Sequence, residues 1–104
     1  MSDLPEIPTA EAVERVKSGT YLIDVREQDE WDAGHAAGAH LLPMSKLNEL
    51  MSEVPTDQQV LVICQAGGRS AKVTKALLDA GYDVVNVAGG TGAWADAGGQ
   101  IVVD

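Results

Sequence analysis

Short apolar runs alternate with amphipathic stretches along this chain of 104 residues. Residues 21–25, 60–63 and 83–87 form the clearest runs, and each predicts a buried strand. A weaker run at residues 40–42 predicts one more short strand. Because helical patterns fill the intervals between them, the chain is predicted to be an α/β protein. Its small, mostly parallel sheet should carry helices on both faces.

The helical signals differ in strength. Val73, Ala76, Leu77 and Ala80 follow the i, i+3, i+4, i+7 spacing of a core-facing stripe, which predicts a helix over residues 70–80. A second helix is predicted over residues 10–18, with Thr9 as its N-cap and Gly19 just beyond its end. Weaker patterns predict a helix over residues 45–53, a short helix over 91–96, and a loop with one helical turn over 27–40.

Composition and charge narrow the classes of function. The chain is 45% hydrophobic and 22% charged, as in ordinary globular proteins, and is expected to form one domain over residues 1–104. Its longest apolar run is far shorter than the roughly 20 residues that a membrane span needs. The N-terminal segment has no signal-peptide pattern and there is one cysteine, so a cytoplasmic location is expected. A net charge of −9 argues against nucleic acid and anionic membranes as partners.

The single cysteine, Cys64, stands where a predicted strand ends and a predicted helix is about to begin. Ligands of parallel sheets bind at this end of the strands, and the N–H groups of a loop and of a helix start attract anions. Two glycines permit the positive φ angles that such a loop needs. Cys64 is therefore predicted to be a nucleophile at the floor of an anion-binding loop formed by Gln65, Ala66, Gly67, Gly68, Arg69 and Ser70.

Charge near Cys64 supports this interpretation. Three of the seven Lys and Arg residues, namely Arg69, Lys72 and Lys75, follow the cysteine closely. A solvated helix face would explain them, but beside a thiol in an acidic protein they also indicate local attraction for a small anion. Lowering a thiol pKa by about 2 units requires roughly 2.7 kcal/mol. Since a helix end supplies only ~0.3–1 kcal/mol, N–H donors and Arg69 are expected to supply the rest. An inert buried thiol is the alternative.

Other polar residues are interpreted as structural. Asp24 and Arg26 follow a predicted strand at the same edge of the sheet and are expected to support the site rather than to react. His35 and His40 could be imagined with Cys64 as metal ligands, but the three residues lack any recognised zinc spacing. No metal site is therefore predicted.

Several motifs in a fixed order resemble those of the rhodanese-like sulfurtransferases, and together they cover nearly the whole chain. They are Asp24-Val25-Arg26-Glu27, Glu30-Trp31, Gly34-His35-Ala36-Ala37-Gly38-Ala39, Pro43, the loop from Cys64 to Ser70, Leu77 to Gly81, Val87-Ala88-Gly89-Gly90, Trp94 and Gly98. The sequence departs from the family at Ala36 and Ala37, where an aliphatic residue and a proline are common. The resemblance implies a compact α/β domain in which the loop cysteine carries a persulfide.

The resemblance also implies a reaction. A Cys64 thiolate would take sulfur from a small anionic donor such as thiosulfate and pass it to a thiol, to cyanide in an assay, or to a protein acceptor. No metal or organic cofactor is expected. Two alternatives remain open: a persulfide carrier or docking module that serves a protein partner, and a phosphatase or arsenate reductase. Four residues separate Cys64 from Arg69, whereas tyrosine-phosphatase-type loops have five, and this spacing favours sulfur transfer.

Overall fold

A five-stranded parallel sheet forms the centre of the computed structural model, which describes residues 4–103. The order of its strands is β1-β6-β5-β2-β4, and β3 pairs with β7 in a separate antiparallel ribbon. The strands are β1 (Glu6–Ile7), β2 (Tyr21–Asp24), β3 (His35–Ala36), β4 (Ala39–Leu41), β5 (Val60–Ile63), β6 (Val84–Val87) and β7 (Ile101–Val102).

Helices cover both faces of the sheet, as predicted. The α-helices are α1 (Thr9–Lys17), α2 (Gln28–Asp32), α3 (Leu47–Leu50) and α4 (Gly68–Asp79), and short 3₁₀ turns lie at Met44–Lys46, Met51–Glu53 and Thr91–Ala93. One core contains residues of α1 together with Trp94, and the other contains residues of α4, with partly buried residues of α3 packed against it. The predicted α/β class is therefore confirmed.

The central strand β5 contributes to both cores, because its side chains alternate between the two faces. Leu61 and Ile63 belong to the core beside α1, whereas Val60 and Val62 belong to the core beside α4. Burying each such side chain contributes about 1.5–3 kcal/mol. This explains why β5 is an uninterrupted apolar run, and it gives the residue that follows β5 a rigid base.

The start of α1 differs from the prediction. Pro8 occupies the N-cap position, and its carbonyl oxygen accepts hydrogen bonds from the N–H groups of Glu11 and Ala12. Thr9 is the first helical residue, so its predicted role as N-cap is wrong. The Pro8 carbonyl oxygen thus accepts the N–H of the third helical residue, Glu11, which a hydroxyl cap would otherwise accept. Gly19 lies just beyond the helix at φ 103°, as predicted.

The remaining differences concern short elements. Strands β1, β3 and β7 have two residues each and escaped the sequence pattern because two residues show no periodicity. The predicted helix over 45–53 is a 3₁₀ turn, one turn of α-helix and a second 3₁₀ turn. Helix α4 begins two residues earlier than predicted, and of the short helix predicted over 91–96 only Thr91–Ala93 is helical, as a 3₁₀ turn. Across residues 4–103, no helix has the length and hydropathy that crossing a bilayer would require.

Candidate active site

Cys64 is the residue that directly follows β5, at the carboxyl end of the central strand. It is 1% exposed, and its side chain packs in the same core as Val62 and Val73. The chain then turns through three residues before α4 begins at Gly68. We call residues 64–70 the Cys64 loop. Its position agrees with the general rule that parallel sheets place ligand sites beyond the carboxyl ends of their strands.

Gly67 aims its backbone N–H at the sulfur of Cys64. The distance from this nitrogen to Sγ is 3.1 Å, and φ at Gly67 is 105°, in the left-handed region that favours glycine. A Cβ atom at this position would also collide with the carbonyl oxygen of Ala88. Backbone conformation and close packing both require glycine at position 67.

Burial raises the pKa of the Cys64 thiol, but hydrogen bonds to the sulfur outweigh it and leave that pKa lowered. The donors are the hydroxyl of Ser70 and the backbone N–H groups of Ser70, Gly67 and Ala66. Such donors favour the thiolate, the form of cysteine that attacks an electrophile. The Ser70 hydroxyl also lies 3.2 Å from the carbonyl oxygen of Gly67. Since it carries one hydrogen, it can donate to only one of these acceptors at a time.

The other predicted loop residues differ in exposure, and Arg69 is partly exposed. Gln65, Ala66 and Gly68 are exposed, whereas Gly67 and Ser70 are buried beside the sulfur. A ligand can therefore approach over the exposed side of the loop. The assignment of Cys64 as catalytic, and of residues 65–70 as substrate-binding, stays a prediction at this point.

Arg69 is held by a carboxylate that the sequence did not indicate. Its two terminal nitrogens donate to the two oxygens of Glu30, at 2.6 and 2.8 Å. The hydrogen bonds from Arg69 hold the pKa of Glu30 at about 2, and Glu30 raises the pKa of Arg69. The spacing of Glu27 and Glu30 is a sequence signal for the start of α2, although not for the contact with Arg69. In this capping box, the Glu30 side chain accepts the N–H of Glu27 and the Glu27 side chain accepts the N–H of Glu30.

A second guanidinium, that of Arg26 just after β2, borders the loop. Arg26 donates to both oxygens of Asp24, at 2.8–3.1 Å, and to the carbonyl oxygen of Gly34 at 2.8 Å. Its remaining terminal nitrogen lies 3.3 Å from the side-chain oxygen of Gln65. Asp24 is paired in register with Ile63, the residue before Cys64. The two residues thus join β2 to the Cys64 loop, which agrees with the supporting role expected for them.

The segment after β6 holds the backbone of the Cys64 loop by hydrogen bonds. Thr91 donates its N–H to the carbonyl oxygen of Cys64 at 2.8 Å, and Gly92 donates to that of Gln65 at 3.0 Å. At Gly90, where φ is 64°, a Cβ would lie 2.6 Å from the carbonyl oxygen of Cys64. Asn86 of β6 adds a longer contact, 3.4 Å from its amide nitrogen to the carbonyl oxygen of Gly67. The sequence shows the pair Gly89-Gly90 as a motif, but it does not predict that Gly90 contacts the loop.

The two histidines lie in aromatic stacks. His35 stacks on Trp31 with ring centroids 3.5 Å apart, and His40 stacks on Tyr21 at 4.2 Å. Within the described residues, no group of three or more His, Cys, Asp and Glu side chains is arranged to hold a metal ion. The stacks give both histidines packing roles.

The fold and the loop together define an α/β domain built around a cysteine loop at the carboxyl end of its central strand. The chain belongs to the rhodanese-like domain family, whose model matches residues 8–97. It is 37% identical to YtwF of Bacillus subtilis over 94 residues, which cover 88% of this chain and 91% of YtwF.

Two further similarities agree with this assignment. The chain is 43% identical over 77 residues to MoeZ of Mycobacterium tuberculosis, a match that covers 71% of this chain but 20% of MoeZ. It thus spans about a fifth of that protein. A crystal structure of a rhodanese-related protein from Thermoplasma volcanium superposes with a TM-score of 0.88 and 32% identity, covering 96% of this chain and 99% of that one. The predicted family is therefore confirmed.

Proposed function

We propose that this chain is a sulfurtransferase that carries sulfur as a persulfide on Cys64. Membership of the rhodanese-like family supports sulfur transfer in general, and the names of YtwF and MoeZ both include the word sulfurtransferase. The observation that carries the proposal is the sulfur of Cys64. It is buried, it faces several N–H donors and the Ser70 hydroxyl, and its pKa is lowered.

The proposed reaction is a double displacement. The Cys64 thiolate attacks the outer sulfur of a donor such as thiosulfate, and a new S–S bond forms at Cys64. The S–S bond of the donor breaks, and sulfite leaves with its electron pair. An acceptor, a thiol or cyanide, then attacks the outer sulfur of the persulfide, and the Cys64 thiolate is the leaving group.

The loop donors serve both steps. The N–H groups of Ala66, Gly67 and Ser70 face the sulfur that is negatively charged before the first step and again after the second. Preorganised donors of this kind stabilise charge without reorganising during the reaction. Since these donors lower the pKa of Cys64 and so favour its thiolate, the proposed cycle uses no histidine base, and no metal or organic cofactor takes part in either step.

Location and acceptor follow from the same chemistry. A cysteine that must alternate between thiolate and persulfide suits the reducing cytoplasm, where we place the protein. The acceptor in the cell is a small thiol or a cysteine of a protein. If the chain serves mainly as a carrier, turnover with cyanide will be slow and transfer to one protein partner fast.

Phosphoryl transfer is disfavoured by the arrangement of Arg69. In this chain, four residues separate Arg69 from Cys64, and Glu30 occupies both terminal nitrogens of its guanidinium. A phosphate would need that guanidinium and a wider ring of N–H groups. We therefore expect negligible hydrolysis of aryl phosphates.

Mass spectrometry after treatment with thiosulfate tests the proposal directly. We expect one added sulfur on Cys64, its loss on addition of cyanide, and no addition in Cys64→Ser. A serine hydroxyl has a similar size but is not ionised near neutral pH. Circular dichroism of the variant provides the control for folding. Sulfur transfer by a folded Cys64→Ser variant at the wild-type rate would refute the mechanism.

A further inference from the structure

Both guanidinium groups that belong to or contact the Cys64 loop are bound to carboxylates. Arg26 is bound to Asp24 inside the protein, and Arg69 is bound to Glu30 at the surface of the loop. These two pairs sum to no net charge. Around the loop of a protein with a net charge of −9, the two guanidinium groups therefore give no net positive charge.

The other cations that follow Cys64 point elsewhere. Lys75 pairs with Asp79 further along α4, at 3.5 Å, and Lys72 lines a groove with Met44 and Leu47. Arg69, by contrast, belongs to the loop itself, and its guanidinium has a favourable electrostatic interaction with Cys64. Whether an anionic donor gains a cationic contact near the sulfur therefore depends on the state of Arg69.

Glu30 is held in place to bind Arg69. One of its oxygens accepts the N–H of Glu27 at 3.2 Å within the capping box of α2, in addition to its contact with Arg69. Since the helix orients this side chain, little further conformational entropy is lost on pairing. The pKa of Glu30, about 2, shows that the carboxylate stays charged throughout the neutral range.

We propose that Glu30 sets the donor preference of this sulfurtransferase: by occupying Arg69, it selects hydropersulfide donors of low charge over the thiosulfate dianion. This inference rests on the proposed sulfur transfer. Thiosulfate must either compete with Glu30 for Arg69 or bind beside a fixed carboxylate that repels it. A hydropersulfide of an uncharged thiol carries at most one negative charge, so both difficulties are smaller for it.

The step with such a donor is balanced. The Cys64 thiolate attacks the outer sulfur of R–S–SH and forms the new S–S bond. The S–S bond of the donor breaks, and R–S⁻ leaves with the electron pair. The outer sulfur keeps its proton, so the products are Cys64–S–SH and R–S⁻, with one negative charge on each side of the equation. The leaving group carries one charge, whereas sulfite carries two.

Replacing Glu30 by glutamine tests the proposal, because the amide oxygen of the new side chain can still accept the N–H of Glu27 while Arg69 is released from the ion pair. We expect the KM for thiosulfate to fall about fivefold in Glu30→Gln, the scale of a partly exposed ion pair. The KM for the hydropersulfide of 2-mercaptoethanol should stay within about twofold of the wild-type value.

Two further variants serve as controls. Asp29→Asn removes one charge from an exposed residue of the same helix and should change neither KM. Adding Arg69→Ala to Glu30→Gln should abolish the gain.

An equal fall of KM for both donors would overturn the proposal, and so would a fall of KM for thiosulfate in Asp29→Asn as large as that in Glu30→Gln. In either case the overall charge of the protein would explain the result.

A second measurement does not need sulfur transfer. At constant ionic strength, sulfate should protect Cys64 from iodoacetamide at about fivefold lower concentration in Glu30→Gln than in the wild type. If sulfate protects the two proteins equally, or neither of them, the inference fails. If no donor loads Cys64 while the shift in protection is seen, the proposed function fails instead.

Discussion

Two carboxylate–guanidinium pairs border the Cys64 loop, and they differ mainly in burial. The Asp24 and Arg26 side chains are 0% and 4% exposed, whereas those of Glu30 and Arg69 are 31% and 37% exposed. The first pair joins residues two apart at the end of β2. The second connects α2 with the first turn of α4, across 39 residues of sequence. A carboxylate and a guanidinium therefore form one ion pair that is buried and one that is partly exposed to water.

Burial decides what each pair can do. A buried charge that loses its partner has no water to replace it, so Asp24 and Arg26 cannot exchange their contacts during a reaction. A partly exposed pair contributes little to stability because water competes with both partners. Glu30 and Arg69 can therefore part at small cost when a ligand offers Arg69 another anion. The buried pair suits support of the loop, and the exposed pair suits selection of a substrate.

The largest expected effect concerns stability. Asp24→Asn leaves the buried Arg26 without its counter-charge and should lower the free energy of unfolding by about 3–5 kcal/mol. Glu30→Gln is the matched change at the exposed pair and should cost less than about 1 kcal/mol. Urea unfolding of the three proteins measures both differences. Equal costs would show that burial does not distinguish the two pairs.

A smaller effect separates the ion pairs from the donors that act on Cys64 itself. Ser70→Ala removes the hydroxyl that helps to lower the pKa of Cys64, so this pKa should rise. The thiolate is the reactive form, and the rate of alkylation by iodoacetamide should therefore reach its half-maximum at a higher pH than in the wild type. Arg69→Ala should raise it less, since Glu30 already neutralises Arg69. A larger rise of the Cys64 pKa in Arg69→Ala than in Ser70→Ala would show that the guanidinium contributes more than the hydroxyl to lowering this pKa.

The smallest effect is the contribution of Glu30 to stability in acid. Its pKa falls from an ordinary value of 4.5 to about 2 in the folded protein, so folding favours the charged form. The stabilisation should be complete above pH 4.5 and should be lost as the pH falls to about 2. The free energy of unfolding of the wild type should exceed that of Glu30→Gln by at most about 1 kcal/mol near neutral pH. The difference should vanish near pH 2, at about the pKa of Glu30 in the folded protein. A difference that persists below it would require another cause.

Local patterns in the sequence determined the main elements of this protein. The apolar runs of β2, β5 and β6 and the stripe of α4 are visible because periodicity is a property of neighbouring residues. The position of Cys64 between a strand and a helix start follows from the same patterns. So does the need for a left-handed glycine in the loop, which the structure places at Gly67.

Only the tertiary structure decided which partners these residues meet. The strands β1, β3 and β7 exist through pairing with distant segments, since two residues have no stable local structure of their own. Arg69 was expected to favour the thiolate, but the fold brings α2 beside the loop and gives its guanidinium to Glu30. The support that Thr91 gives to Cys64 also spans distant parts of the chain. Such contacts depend on how the elements pack, and a local pattern carries no information about a residue 39 positions away.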